Sequence, residues 1–390
     1  MMISINDAFS ILENTSFSLN EVEVSLSNAT GFVLAETLIS PIAMPPFRQS
    51  NMDGFALSLH KSLSYEIVGE IKAGDYFEGE LLPGQALKIF TGAAVPNSAQ
   101  AVIQIEKVVV DDNQLQLQEI IKPETNVRQL GSQIEKGTIA LGKGTFLNAA
   151  AIGFLSGLGF TKVKVYSKPK VGIVITGNEL VQAGQPLPKG KVYESNSIML
   201  QSALQSTDYN QINSYQVEDT FEATKSTLQK AIDENDVVLV SGGISVGDYD
   251  FVGKALESLG VETLFYKVNQ KPGKPLFAGK LMNKMIFALP GNPATSLTCL
   301  YVYVLPTLHR LSGNNVSYLS TISKSLTHDY EVNNSRCQFL KALMVGDEVT
   351  ILPHQDSSML DSFAVANALV YVINGNYQIR KGNRVVVYHL

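Results

Sequence analysis

Apolar and polar positions follow three different rhythms along this chain. The first 38 residues mix short helical and extended patterns: a helix near the start, a strand over 22–26, and a second helix opened by Asn28, whose side chain suits an N-cap. A proline-rich loop follows at 41–46. From 65 to 121 Val and Ile are abundant, segments such as "LQLQEI" alternate between apolar and polar, and Pro83-Gly84 and Asp112-Asn113 supply turns. A period of two predicts half-buried strands, here a small β-barrel or sandwich. "LNAAAIGFLSGLG" then reads as a helix capped by Asn148 and ended by Gly157 or Gly159, with a strand over 163–166 behind it.

The third rhythm runs from 170 to 313, where uninterrupted apolar stretches alternate with amphipathic ones. "VGIVIT", "DVVLVSGG" and "MIFALPGN" are strands too apolar to face water on either side, so they predict a parallel sheet covered by helices on both faces. Beyond 313 short β patterns return, with Asn374-Gly375 as a hairpin signal. The fold class expected is multidomain α/β plus β. A doubly wound, mostly parallel α/β domain covers 169–313, and a small inserted β domain covers 46–130. A discontinuous mixed domain is assembled from 1–45 and 131–168, and a C-terminal β domain covers 314–390.

Composition narrows the function classes. At 390 residues the chain is long enough for several cores, and 45% apolar with 17% charged residues is ordinary for an ordered globular protein. Thirty Lys and Arg against 36 Asp and Glu give a net charge of −6, with no basic block, so nucleic acid is not expected as a partner. The longest apolar run, 297–308, is broken by polar residues and Pro306 and falls short of the ~20 residues a bilayer requires. No membrane span is expected, and the N-terminus lacks the basic flank and cleavage site of a secretory signal, so the expected location is the cytoplasm. Cys299 and Cys337 form no metal-ligand spacing and read as buried thiols, and the five histidines are scattered.

Candidate chemistry concentrates where the apolar strands end. In open α/β sheets ligands bind beyond the carboxyl ends of the strands, so three glycine-bearing loops at three such ends point to one crevice. In "SGGISVGDYD" the glycines Gly242, Gly243 and Gly247 let backbone N–H groups approach an anion, flanked by the hydroxyls of Ser241 and Ser245 and the start of the next helix. Asp248 and Asp250 beside an anion suit a hard cation such as Mg²⁺, or, for Asp250, a plain helix cap. "VITGNEL" places Gly177 and Glu179 after the preceding strand, where the carboxylate either complements a helix start or binds a ligand or metal. "PGNPAT" combines Pro290, Gly291, Asn292 as N-cap, Pro293 at the first helical position, and the Thr295 hydroxyl. "QKPGKP" holds Lys271 and Lys274 three apart in a stiff loop, as two solvated lysines or as a paired site for an oxyanion. Near the β domain, "NMDGFA" with Asp53 and "FTGAAVP" with Thr91 and Gly92 read singly as turn chemistry.

Taken together and in order, "NMDGFA", "FTGAAVP", "TGNEL", "SGGISVGDYD", "KPGKP" and "PGNPAT" resemble the molybdopterin molybdenumtransferase family, the bacterial MoeA type and the E domain of gephyrin. The motifs span 51–295 and the β-rich ends suit the family as well. The resemblance implies four subdomains, one of them like the molybdopterin adenylyltransferases, and a homodimer. It also implies a transferase reaction in which adenylylated molybdopterin and molybdate give molybdenum cofactor and AMP, assisted by Mg²⁺. The adenylyltransferase and the recipient molybdoenzymes are then further candidate partners.

By the same resemblance Asp53, Thr91, Glu179, Asp248 and Asp250 surround nucleotide, pterin and metal, with Glu179, Asp248 and Asp250 as the metal ligands. Lys271, Lys274 and Thr295 face an oxyanion, joined by Arg336 and by Ser357 or Ser358 of "HQDSSMLDSF". Asp53, Glu179, Asp248, Lys271 and Lys274 are the expected catalytic set. Three departures stand out: Ser132-Gln133 where the family usually has Glu-Asp, Glu194 of "YESN" where Asp is usual, and Thr295 where Ser is common. Two other functions fit parts of the pattern. One is the adenylyltransferase reaction, against which the extra β domains argue, and the other is a scaffold that keeps the fold without turnover.

Overall fold

The computed structural model describes residues 2–244, 251–314 and 321–390. The chain divides into two units, one holding 165–390 with the N-terminal segment up to Val22 and 31–33, the other holding 23–30 and 34–164. Helix α1 (Ile5–Asn14) opens the chain with a reciprocal cap: Ser4 Oγ accepts from the Asp7 N–H at 3.0 Å, and Asp7 Oδ2 accepts from the Ser4 N–H at 3.2 Å. Its buried residues Ile5, Ala8 and Leu12 recur every three to four positions, one face of a helix.

In the second unit the alternating segments form a six-stranded sheet. Its strands are β1 (Gly54–Leu57), β2 (Ser64–Ile71), β3 (Gln85–Ile89), β4 (Ala101–Gln104), β5 (Val108–Asp111) and β6 (Gln114–Leu117). They lie in the order β4-β1-β3-β2-β6-β5, antiparallel except for the β2–β3 pair. Asp112, at positive φ, turns β5 into β6 as the Asp-Asn pair requires. Helix α2 (Ala149–Gly157) is capped by Asn148, whose Oδ1 accepts from the Ala151 N–H at 2.9 Å. No helix follows Asn28. That residue closes a single 3₁₀ turn, Leu26–Asn28, and Gly31 then takes φ +81. The Leu34 N–H donates to Thr145 O and the Ala35 N–H to Lys164 O, so backbone pairing outcompetes helix propensity there.

The first unit contains the α/β domain. Strands β7 (Val171–Thr176), β10 (Ile212–Val217), β11 (Val237–Ser241) and β15 (Lys284–Leu289) are mutually parallel, while β14 (Phe277–Leu281) and β12 (Glu262–Tyr266) add an antiparallel edge. The order is β10-β7-β11-β15-β14-β12, so the chain steps to one side of β7 and then to the other. Between β7 and β10 lie a ribbon, β8 (Leu180–Val181) with β9 (Val192–Tyr193), and helix α3 (Asn196–Ser206). Alternate strand residues serve opposite cores. Ile173, Leu239 and Phe287 pack with α1, α3 and the helices after β15, whereas Val174, Val238 and Ile286 pack with α4 (Phe221–Glu234) and α5 (Phe251–Ser258). That double coverage is why these strands carry no polar face.

After β15, α6 (Pro293–Cys299) passes through a π-helical turn, Leu300–Val304, into α7 (Leu305–Leu311). The C-terminal strands close a ring: β18 (Cys337–Val345), β19 (Glu348–Ile351), β16 (Thr321–Leu326), β22 (Arg384–His389), β20 (Ala368–Val372) and back to β18. The short strand β13 (Gln270–Lys271) of the α/β domain pairs in parallel with β18. Asn374-Gly375 is not a hairpin turn. β20 stays in the barrel, while β21 (Gly375–Ile379) leaves to pair with β17 (Tyr330–Asn334), so the two strands flanking Asn374 belong to different sheets. Cys299 is buried as expected, but Cys337 is half-exposed, with its thiol toward Asn374 Oδ1.

Candidate functional site

The carboxyl ends of β7, β11 and β15 open into one crevice of about 520 Å³. It lies where the strand order reverses, between β7 and β11, the position at which open α/β sheets bind ligands. Gly177, Ser241, Gly242, Gly243, Pro290, Gly291 and Asn292, all expected from the sequence, line it together with Glu179. Gly242 and Gly243 have φ of +95° and +64°, and a Cβ at 242 would stand 2.7 Å from the Thr176 carbonyl oxygen. Only glycine allows the loop to pass so close to the end of β7.

Among the polar lining residues that were not singled out from sequence for this role are Thr176, Asn196 and Asp219. Asn196 is buried and donates to Ser241 Oγ and to the Gly291 carbonyl, bridging two strand ends. Thr176 Oγ1 and Asn196 Oδ1 are buried and find no partner among the described residues, which marks polar capacity that a ligand or bound water completes. Asp219 accepts from the Asn178 N–H at 3.2 Å and orients the "TGNEL" loop. It lies two residues beyond the end of strand β10, so the strand-end rule that selected the other three loops would have selected it too.

Glu179 does not start a helix. It precedes the ribbon strand β8, because Gly177 (φ +147°) turns the chain and the Pro- and Gly-containing segment 184–190 defers the helix to Asn196. Its carboxylate is exposed and accepts no hydrogen bond among the described residues. Glu194 of "YESN" caps α3, taking the Ser197 N–H at 2.9 Å and the Ser197 hydroxyl. Among the described residues no group of three His, Cys, Asp or Glu is placed to hold a metal ion. Ser245, Gly247, Asp248 and Asp250, expected to supply anion contacts and two metal ligands, lie outside the described residues.

Beside the crevice, Pro275 carries its lining into the "QKPGKP" loop. Lys271 and Lys274 are both exposed there, and Arg336 Nη1 donates to the Gln270 carbonyl at 3.3 Å, so the loop and the barrel strand bring three cations to one neighbourhood. Gly273 sits against α6: a Cβ there would lie 2.8 Å from Cys299 Sγ and 3.5 Å from Thr295 Cγ2. Thr295 is buried, with its hydroxyl on the Ser357 carbonyl at 3.4 Å. Asn292 begins α6 as expected, yet its side chain caps nothing and donates instead to Ser357 Oγ at 2.8 Å. The loop bearing Ser357 is held from below by buried Lys341, whose Nζ donates to the carbonyls of His354, Asp356 and Met359.

In the second unit Asp53 and Thr91 meet each other. Asp53 Oδ1 accepts from the Thr91 hydroxyl and the Thr91 N–H, each at 2.7 Å, and these bonds hold its carboxyl below the usual range. Gly92, with φ +82°, lets the following loop turn. Arg48 is committed to the carbonyls of Pro96 and Ala99. Where an acidic pair is usual, Ser132 and Gln133 make backbone bonds to Gln129 and Met44.

Three family descriptions match successive parts of the chain: the MoeA N-terminal region (domains I and II) over 3–159, a probable molybdopterin-binding domain over 172–310, and the MoeA C-terminal region (domain IV) over 325–390. Curated relatives named molybdopterin molybdenumtransferase include that of Haemophilus influenzae, 35% identical over 317 residues (80% of this chain and 78% of the relative). That of Staphylococcus epidermidis is 30% identical over 398 residues, covering 99% and 95%. The chain belongs to the molybdopterin molybdenumtransferase family. A solved structure of the MoeA molybdopterin biosynthesis protein from Pyrococcus horikoshii superposes with a TM-score of 0.84 at 29% identity, covering 100% of this chain and 99% of that one. Within this molybdenumtransferase chain the match to the molybdopterin-binding domain contains all three strand ends of the crevice.

Proposed function

We propose that this chain inserts molybdate into adenylylated molybdopterin, releasing AMP and forming molybdenum cofactor. The observation that carries the reading is the meeting, within one unit, of a polar strand-end crevice with a loop presenting Lys271 and Lys274 beside Arg336. Molybdate and the pterin dithiolene are both anionic, and two unit charges ~4 Å apart repel by about 4 kcal/mol at an effective dielectric near 20. The three cations offset that repulsion by holding molybdate, while the glycine loops Gly242-Gly243 and Pro290-Gly291 receive the pterin nucleotide with their backbone groups.

The phosphoanhydride joining AMP to the pterin is cleaved by an oxygen of molybdate or of water, and no covalent protein nucleophile is required. Magnesium, held by Glu179 with Asp248 and Asp250, would polarise that anhydride when bound. The exposed carboxylate of Glu179 at the crevice edge, which accepts no hydrogen bond among the described residues, suits that role. Homodimerisation and a cytoplasmic setting complete the reading, the former testable by light scattering.

The nearest rival, adenylylation of metal-free molybdopterin, shares the α/β domain but gives no role to the β domains. Two reactions run in parallel separate them. Adenylylated molybdopterin with molybdate should yield AMP in a molybdate-dependent manner; pyrophosphate from ATP and metal-free molybdopterin, without such AMP release, would assign the earlier step instead.

A further inference from the structure

Gln270 lies between the elements that carry the three cations, and none of its surface is exposed. Its amide is nevertheless fully engaged. Oε1 accepts from the Tyr303 hydroxyl, and Nε2 donates to the Gly273 carbonyl at 3.3 Å with Cys299 Sγ at 3.8 Å. The bond to Gly273 closes the Lys271–Gly273 loop from inside. Its fit is tight, since a Cβ on Gly273 would stand 2.6 Å from Nε2. The main chain of Gln270 also faces outward usefully, because its carbonyl receives Arg336 Nη1 and its strand pairs with the barrel strand that follows Arg336. Tyr303, equally buried, reaches Gln270 from the π-helical turn Leu300–Val304 and packs against Phe9 with ring centroids 5.3 Å apart. π-helical turns of this kind recur at functional sites.

We propose that Gln270 is a positioning residue: clamped by Tyr303, it fixes the spacing of Lys271, Lys274 and Arg336 for the oxyanion substrate. This rests on the reading above that those cations receive molybdate. Gln270 and Tyr303 are both fully buried, so any effect they have on the reaction is indirect. An apolar pair of similar size would fill the same space without desolvating an amide and a phenol, and the polar pair is explained by the geometry it imposes. Burial pushes the neighbouring Cys299 thiol up to about 12, so it stays neutral and adds no charge beneath the cations.

The test compares Gln270→Met, Tyr303→Phe and the double variant with the intact chain, reading melting temperature together with kcat and KM for molybdate in AMP release. Gln270→Met takes away the acceptor of the Tyr303 hydroxyl and the donor to the Gly273 carbonyl, and Tyr303→Phe takes away the donor to Gln270 Oε1, so each should lower the melting temperature, which the apolar double variant recovers in large part. KM for molybdate should nevertheless stay about tenfold raised in the double variant, with kcat moving much less. Return of both melting temperature and KM to normal in the double variant would reduce the pair to a packing role. Should the double variant not fold, Tyr303→Phe alone decides: a raised KM supports the proposal and an unchanged KM overturns it. Lys274→Ala, assayed alongside, separates the two levels. If it leaves KM unchanged the parent reading fails, and if it alone raises KM only the positioning role fails.

Discussion

Asn196 ties its own helix start to the end of β11: its Nδ2 donates to Ser241 Oγ at 2.8 Å, and the remaining hydrogen goes to the Gly291 carbonyl at 2.7 Å. Because a carbonyl only accepts, the amide orientation is fixed, and Oδ1 is left for another donor. Asn196→Asp replaces both donors by acceptors beneath two strand ends. It should cost about 2–3 kcal/mol in denaturant unfolding and weaken binding of the pterin nucleotide. Unfolding and binding both indistinguishable from the parent chain would show that the bridge is dispensable.

Gly242 meets a steric limit rather than an electrostatic one. Alanine there would bring Cβ to 2.7 Å from the Thr176 carbonyl at a φ that side chains disfavour. Gly242→Ala should destabilise by roughly 1–3 kcal/mol and distort the crevice, seen as a fall in melting temperature and in nucleotide binding together. Gly184→Ala, with open space around the position although φ is +90°, is the comparison that isolates backbone strain from collision.

Asp53 owes its low carboxyl pKa first to the Thr91 hydroxyl and second to the Thr91 N–H. Thr91→Val removes the first and keeps the second. The Asp53 carboxyl, followed by carbon-detected NMR titration, should therefore rise toward the usual 3.8 without reaching it. An unmoved titration would place the cause elsewhere.

His309 gives the fold a pH dependence of definite sign. Burial, reinforced by nearby Lys168, lowers its pKa from 6.5, and its Nδ1 lies 3.1 Å from the Tyr209 hydroxyl. As pH falls below 6.5 the unfolded chain takes up the proton before the folded one, so stability drops until the folded value is passed. Between about pH 7.5 and about pH 5 the melting temperature should fall more for the parent chain than for His309→Gln. Equal falls would exclude His309 as the source.

The parts of this protein legible in its sequence are those governed by local pattern. Continuous apolar strands announced a sheet covered on both faces, and the residues after three of them do line one crevice. Asn148 was readable as a cap because capping is settled within four residues. What could not be read depends on partners far along the chain. Nothing near Asn28 reveals that the N–H groups of Leu34 and Ala35 pair with Thr145 and Lys164. Asn374-Gly375 has the composition of a hairpin, but barrel closure takes β20 one way and β21 another. Gln270 read as one letter of a loop motif, and its bond to Tyr303 spans 33 residues. Lys341 carries no local sign that its ammonium holds the loop around Ser357, because the carbonyls it binds lie 13 to 18 residues further along the chain.

AMP release from adenylylated molybdopterin, measured across a molybdate titration, reads whether the cations of the Lys271–Lys274 loop receive the incoming oxyanion. Lys274→Ala should shift the half-saturating molybdate concentration upward by about tenfold while its melting temperature stays that of the parent. Superimposable titration curves for the two proteins would show that Lys274 takes no part in receiving molybdate.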